Sequence, residues 1–442
     1  MIDYNRLLGN YNTTFFSVHL FDEDISVYVH EYVHHIQNIT TPYGLTYFTS
    51  RLIYLLHEFI VNPNSYLYGS VHKLWKKNRK MIGKTIKQVG GAVNLEYSKC
   101  NIEDLDFTIN KKYYDRYGIK VVDAVGIKLN IDGKICEIPF TVRMIKENMA
   151  RLIQKRCFPN SEVSKNVTYY LIEEVIKRYS PDFPVNAQTL VALCDIALIT
   201  DSPIHAFFYF LDYYKQFNSD EITARFMYEC VKEEKIIGLV GSFQIMELLE
   251  RQLNICFQAI DAFYVSFDSQ AHIRDWIKEI CRKGIEFRKN NFSFMCDIMD
   301  SNISIFESQN IFMNIVKNLG FTIERDRNGQ FRIPKNIEPT DFIQLVALEE
   351  YTIKIVEEKN GRLSPCMLKD FCKTFVRNDT ISVGYGIRNL KSVRLGDLKE
   401  ADLNSISNSV VNETCNDPMQ RDMYNNLCPF TYVRRNIQQI NK

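Results

Sequence analysis

The five residues His30-Glu31-Tyr32-Val33-His34 constrain this chain more than anything else in it. On a helix, side chains four apart lie about 40° apart around the axis and about 6 Å along it. Two imidazoles so placed point the same way and can share one metal ion. With His30 set at 0°, Glu31 falls at about 100°, at the edge of that face. There a carboxylate reaches a water on the metal rather than the metal itself. Ile25, Val29, Tyr32, Val33 and Ile36 fall between roughly 200° and 300° and make an apolar stripe on the opposite side. The spacing therefore predicts a helix over 25–39, capped by Asp22 or Asp24, with its back in a core and its front on a cleft. Pro42 and Gly44 end it. With eight histidines in 442 residues, such a pentad arises by chance in only on the order of one per cent of shuffled sequences.

Strand and helix signals surround the motif. Residues 15–20, FFSVHL, are aromatic and β-rich and are predicted as a strand. A second apolar helix is expected from Leu45 to Ile60, stopped by NPNS. Residues 61–118 are less regular and include a lysine-rich run at 73–88. A hairpin is expected at 122–140, because Asp132-Gly133 suits the tight turn between two strand-like runs. TVRMIKENMARLIQKRC then has helical periodicity, and the pattern from Tyr169 to Val316 is almost wholly helical. Residues 321–334 read as a second hairpin turning at Asn328-Gly329. The expected class is α+β, mainly helical. Its expected organisation is a motif-bearing region at 1–200, a helical region at 201–335 and a mixed C-terminal region at 336–442.

Composition narrows the partners. Hydrophobic residues at 46% and charged residues at 24% suit a folded chain with a sizeable core. Lys+Arg 54 against Asp+Glu 53 argues against a broad electrostatic grip on nucleic acid or on an anionic membrane. No secretory signal opens the sequence, and no segment reaches the roughly 18 uncharged apolar residues that cross a bilayer. A soluble, cytoplasmic protein is expected. Twelve cysteines in mostly apolar surroundings read as buried free thiols. Cys366, Cys372, Cys415 and Cys428 are candidates for a structural metal, without the tight CxxC spacing that marks one.

His30, Glu31 and His34, with Val27 before them, uncharged Tyr32 and Val33 in the gap and apolar Ile36 after, resemble the zincins, the HExxH zinc peptidases. The resemblance covers residues 25–39. It implies a zincin-like core with the HExxH helix plus a large helical extension, and one zinc ion held by His30, His34 and a third ligand. Glu31 would be the general base that activates the zinc-bound water. The longer metzincin pattern is absent, since Gln37 and Thr40 stand where it has Gly and His. In gluzincin-like relatives the third ligand is a glutamate on a later helix. Glu147 is favoured because Glu147-Asn148-Met149-Ala150 resembles the Glu-x-x-Ala turn of that helix. Glu58, Glu173 and Glu174 are the alternatives, and an Arg143–Glu147–Arg151 surface salt-bridge stripe is the plain reading of the same residues.

Other residues carry lesser expectations. Arg143, Arg151 and His205 are candidates for stabilising an oxyanion. Asp195, in an apolar helix, either orients a ligand imidazole or makes an ion pair. His35 is read as a supporting or solvent-facing residue, and His19 and His57 as core or boundary histidines. The expected function is zinc-dependent hydrolysis of peptide bonds in an intracellular protein or peptide, with the helical region open to a regulatory partner. A metal-binding scaffold without turnover, or a hydrolase of a non-peptide amide, would carry the same motif.

Overall fold

The computed structural model describes residues 8–349 except 23, 60–67, 91–92, 94, 98–99, 111–120, 234, 239–240, 265–270, 328–330, 335–336, 338–344 and 347. Its contacts divide the chain into two compact units, one of residues 1–50, 79–257 and 279–322, the other of residues 51–78, 258–278 and 323–442. The expectation of an α+β, mainly helical chain holds. Among the described residues no helix is long and apolar enough to cross a membrane. The described cysteines are all free. Cys366, Cys372, Cys415 and Cys428 lie outside the described residues, as does the turn at Asn328-Gly329.

The first unit opens with a hairpin, β1 (Gly9–Asn12) and β2 (Ser17–Leu20), paired antiparallel with Gly9 opposite Leu20. β1 lies before the strand expected at 15–20, and only the last four residues of that segment are strand. Just before β2, Phe16 takes a left-handed φ of 51° and is wholly buried against Phe48 and His35. A bulky side chain rarely holds that conformation unless its packing offsets the strain.

Helix α1 (Ile25–Ile39) has the predicted bounds. Asp24 caps it, accepting from the Ser26 N–H at 2.8 Å and the Ser26 hydroxyl at 2.7 Å. Thr40 closes the far end, donating to the Ile36 carbonyl through its N–H at 2.9 Å and its hydroxyl at 2.8 Å. Pro42 then starts α2 (Pro42–Phe59), three residues earlier than expected, because proline at a first helical position forfeits no hydrogen bond. Next come α3 (Tyr68–Val89) and β3 (Cys100–Ile109), both in the stretch expected to be irregular.

β3 joins β4 (Val122–Ile131) and β5 (Lys134–Pro139) in an antiparallel sheet of order β3-β4-β5. The predicted hairpin turns where expected, with Asp132 and Gly133 at φ 50° and 82°, as a primed turn requires. Then α4 (Val142–Cys157) packs against α1 and against α6, which follows α5 (Leu171–Tyr179) and spans Ala187–Leu198. Met144, Ile145, Met149 and Ile153 bury one face of α4 completely. The remaining helices of the unit include α7 (Pro203–Tyr214) and α8 (Ala224–Glu233). A short hairpin, β6 (Lys235–Gly238) with β7 (Gly241–Gln244), interrupts the run expected to be helical and leads into α9 (Ile245–Tyr264) and α10 (Ala271–Asn290).

The end of α1 is fixed by a buried ion pair. Arg288 of α10 and Asp195 of α6 are both fully buried, at 2.6 and 2.8 Å in a two-pronged contact. Arg288 also donates to the Thr40 carbonyl at 3.3 Å and to its hydroxyl at 3.1 Å, and the Tyr228 hydroxyl donates to Asp195. Of the two readings of Asp195, the ion pair is the one the fold contains. α10 reaches α1 only because residue 284 is glycine: a Cβ there would sit 2.3 Å from the Ile39 carbonyl oxygen.

In the second unit, Asp261 accepts from Lys278 at 2.5 Å and lies 3.9 Å from Arg274. A short ladder pairs β8 (Ile323–Arg325) with β9 (Phe331–Arg332).

Candidate metal centre

α1 and α4 bring three ligand atoms together. Glu147 Oε2 lies 3.1 Å from His30 Nε2 and 3.2 Å from His34 Nε2. The two imidazole rings stand edge to face with centroids 5.0 Å apart. None of the three residues is more than 9% exposed. Their ligand atoms lie within 4.8 Å of one another, so the cluster could hold a metal ion.

The outer nitrogens decide what the inner ones are. His30 Nδ1 lies 3.2 Å from Gln154 Oε1, and His34 Nδ1 lies 2.9 Å from Gln37 Oε1. Both amides are oriented by their other end. Gln37 Nε2 donates to the Lys146 carbonyl at 3.1 Å, and Gln154 Nε2 donates to the Ser26 hydroxyl at 3.2 Å and the Glu162 carbonyl at 3.4 Å. Each glutamine therefore offers an oxygen, and each histidine donates from Nδ1. In the neutral ring that leaves a bare lone pair on both Nε2 atoms, aimed at one carboxylate oxygen. A proton can relieve one such contact only by building a buried imidazolium beside the other ring. One divalent cation satisfies all three atoms at once. Sequence reasoning missed both glutamines, whose roles depend on contacts across 124 positions in one case and across the helix surface in the other.

The electrostatics agree with a site short of positive charge. Burial works against the charged form of Glu147, yet His34 and His30 hold its carboxyl well below the usual range. Burial pulls the His30 ring down, but Glu147 and Glu31 lift it above its ordinary value. Glu31 is not in the ligand cluster. Burial raises its pKa, opposed by His30, His34 and a hydrogen bond from the Tyr11 backbone N–H. That bond comes from β1, and the strand can approach because residue 9 is glycine. A Cβ at Gly9 would lie 2.9 Å from Glu31 Oε1 and 2.8 Å from Val27 Cγ1.

His35 helps to hold β1 there, and it is wholly buried rather than solvent-facing. Its Nδ1 accepts from the Tyr11 hydroxyl at 3.0 Å, and that hydroxyl accepts from Asn38 Nδ2 at 3.2 Å. Burial holds the His35 ring neutral, with a pKa down at about 3.

A cavity of about 230 Å³ opens in front of the cluster, with Glu31, His34, Glu147, Arg143, Lys146 and Tyr169 in its wall. The Tyr169 phenol hydrogen-bonds Glu147. Its backbone carbonyl accepts from Asn148 Nδ2 at 2.9 Å, so α4 positions this residue as well as the carboxylate. Of the three oxyanion candidates, only Arg143 faces the cavity; its Nε lies 3.5 Å from Glu147 Oε1. Arg151 pairs with Glu173 and stacks on Tyr170 at 4.5 Å. His205 accepts from the Val122 N–H at 3.3 Å. Two of the alternative third ligands are engaged elsewhere: Glu173 with Arg151, and Glu174 with Lys177 at 2.8 Å and Tyr97 at 3.1 Å. The Glu58 side chain lies outside the described residues. The expected salt-bridge stripe is thus only half present, because Glu147 turns inward and Arg151 turns to Glu173.

No family model matches the chain, and no curated protein and no solved structure matches it.

Proposed function

We propose that this protein is a zinc-dependent peptidase with a zincin-like core, acting on a protein or peptide substrate. The observation that carries the reading is the pair of histidines whose Nδ1 atoms are committed as donors and whose Nε2 atoms converge on Glu147 Oε2 at 3.1 and 3.2 Å. Zinc bonds of about 2.0–2.2 Å in a tetrahedron put neighbouring ligand atoms roughly 3.3 Å apart, which these separations approach. His30, His34 and Glu147 would hold the ion, which when bound lowers the pKa of water and polarises a carbonyl.

The chain's own residues supply the rest. Glu31 faces the same cavity without belonging to the ligand set, so its carboxylate is available as general base. It takes a proton from the attacking water and returns it to the leaving amine. The Tyr11 N–H and Gly9 fix where that carboxylate stands. Tyr169 and Arg143 are the donors that can meet negative charge on the carbonyl oxygen.

Glu31→Gln tests this. The variant is expected to keep about one zinc per chain by elemental analysis while losing turnover by about 10²–10⁴-fold, read as new N-termini after incubation with a proteome. Undiminished turnover would remove Glu31 from the chemistry. Loss of zinc with the fold intact would make Glu31 a ligand.

A further inference from the structure

The cavity wall holds a cation that the hydrolytic machinery does not use. Resting on the peptidase reading, we propose that Lys146, assisted by Arg143, recognises a carboxylate of the substrate next to the scissile bond.

Arg143, Lys146 and Glu147 stand at i, i+3 and i+4 on α4, so the two cations share a helix face with the metal-facing carboxylate. All three line the cavity. Lys146 is half-buried, and among the described residues no carboxylate lies within ion-pair distance of its ammonium. Its nearest described partner is the Tyr47 ring, 5.9 Å away, at the outer limit of a useful cation–π contact. Arg143 touches Glu147 only through Nε at 3.5 Å, and its side chain stays 39% exposed. A cation drawn partly out of water without a partner is costly to keep, and an arriving anion relieves that cost.

The charge balance points the same way. Glu31 and Glu147 are the acids in the wall. Once a divalent ion is in place, it and the two basic side chains outweigh them, leaving the cavity positive. Size sets the scale of the anion. About 230 Å³ is below the roughly 300–1,000 Å³ of sites that enclose a drug-sized ligand, so the space suits one or two amino-acid side chains. Lys146 is the sequence neighbour of Glu147, which puts the recognised group within a residue or so of the bond to be cut. Tyr43, Tyr47 and Val89 supply the less polar part of the wall, against which the methylenes of an acidic side chain can lie. The same carboxylate chemistry is offered by an Asp or Glu side chain and by a free C-terminus.

The test begins with the zinc-loaded protein and peptides from a digested, denatured proteome, with cleavage sites read from new N-termini. Synthetic versions of the best substrate then carry Glu or Gln beside the scissile bond and a C-terminal acid or amide. Charge-assisted hydrogen bonds are worth enough for a preference of about 10–100-fold in kcat/KM for a carboxylate form. Preference for Glu over Gln assigns the side chain as the source, and preference for acid over amide assigns the C-terminus. Lys146→Met should collapse the ratio towards one and Lys146→Arg should keep it. Glu31→Gln protein should bind the favoured fluorescent peptide more tightly than its neutral counterpart, a readout independent of turnover. Equal cleavage of all four peptides, or a ratio unchanged in Lys146→Met, overturns the inference and leaves the peptidase reading standing. Cleavage of no peptide at all overturns the peptidase reading, and this inference with it.

Discussion

Two buried ionic clusters lie in the same unit of this protein, and they differ in whether their charges are already matched. Around Asp195, a carboxylate meets the two prongs of Arg288 at 2.6 and 2.8 Å and a phenol from Tyr228, and the guanidinium has Thr40 as well. Nothing further is called for. Around Glu147, a buried carboxylate meets two imidazole nitrogens whose protons lie on the other side of the rings. The first cluster is complete as it stands and joins four helices of the fold, α1, α6, α8 and α10. The second gathers three ligand atoms that could hold a metal ion. Burial and charge alone do not separate a closed ion pair from a cluster that could take a cation; the position of the protons does.

The comparison fails first, and most visibly, at Arg288. Arg288→Met leaves Asp195 charged and buried, and is expected to cost on the order of 3–5 kcal/mol in urea denaturation, with or without metal. The double variant Asp195→Leu/Arg288→Met should be less damaging than the single one. If it is more damaging, the cluster is not a matched pair. At the candidate metal centre the dependence should reverse. Chelation should lower the stability of the natural protein by about 4 kcal/mol where free metal had stood a thousand-fold above its dissociation constant. His30→Ala/His34→Ala, by contrast, should be indifferent to chelator.

A smaller effect belongs to the glutamines. Gln154→Ala and Gln37→Ala free the histidine rings to turn or to change tautomer, and each is expected to weaken metal binding about 10–100-fold in a competition titration. Unchanged affinity would mean that the helix backbone alone orients the imidazoles. The smallest effect is at His205, a buried imidazole in neither cluster. Burial, with Lys84 nearby, lowers its pKa from 6.5 to about 4 against the pull of Asp123. Below pH 6.5 the unfolded chain binds the proton more readily, so this residue's contribution is full above that pH and declines as pH falls towards 4. The urea midpoint of His205→Gln should therefore fall less steeply over that interval, and parallel curves would exclude the assignment.

Legibility in the sequence followed the range of the interactions. α1 could be read residue by residue because its stripe, its Asp24 cap and its Pro42 stop are all local. The β4–β5 hairpin could be read because Asp132-Gly133 encodes the turn. Glu147 stands out by its immediate neighbours, although only the fold brings it to His30 across 117 positions. β3 was hidden by its acidic residues, which mask the alternation of Ile102, Leu105 and Phe107 on a half-exposed sheet. α3 was hidden by lysines and two internal glycines, and β6–β7 by a short apolar run that fits helix or strand equally. The setting of Glu31 was not legible at all. Gly9, Tyr11, His35 and Asn38 matter through contacts between β1 and α1, and no local pattern announces them.

The separation of the ligands along the chain also orders events in time. His30, Glu31 and His34 leave the ribosome together, but Glu147 is added more than a hundred residues later and Gln154 later still. At about 5–20 residues per second the interval is several seconds to some twenty seconds. During it the nascent chain owns His30, Glu31 and His34 but not Glu147, so the cluster that could hold a metal ion cannot yet form. Synthesis of α4 is the step that completes it.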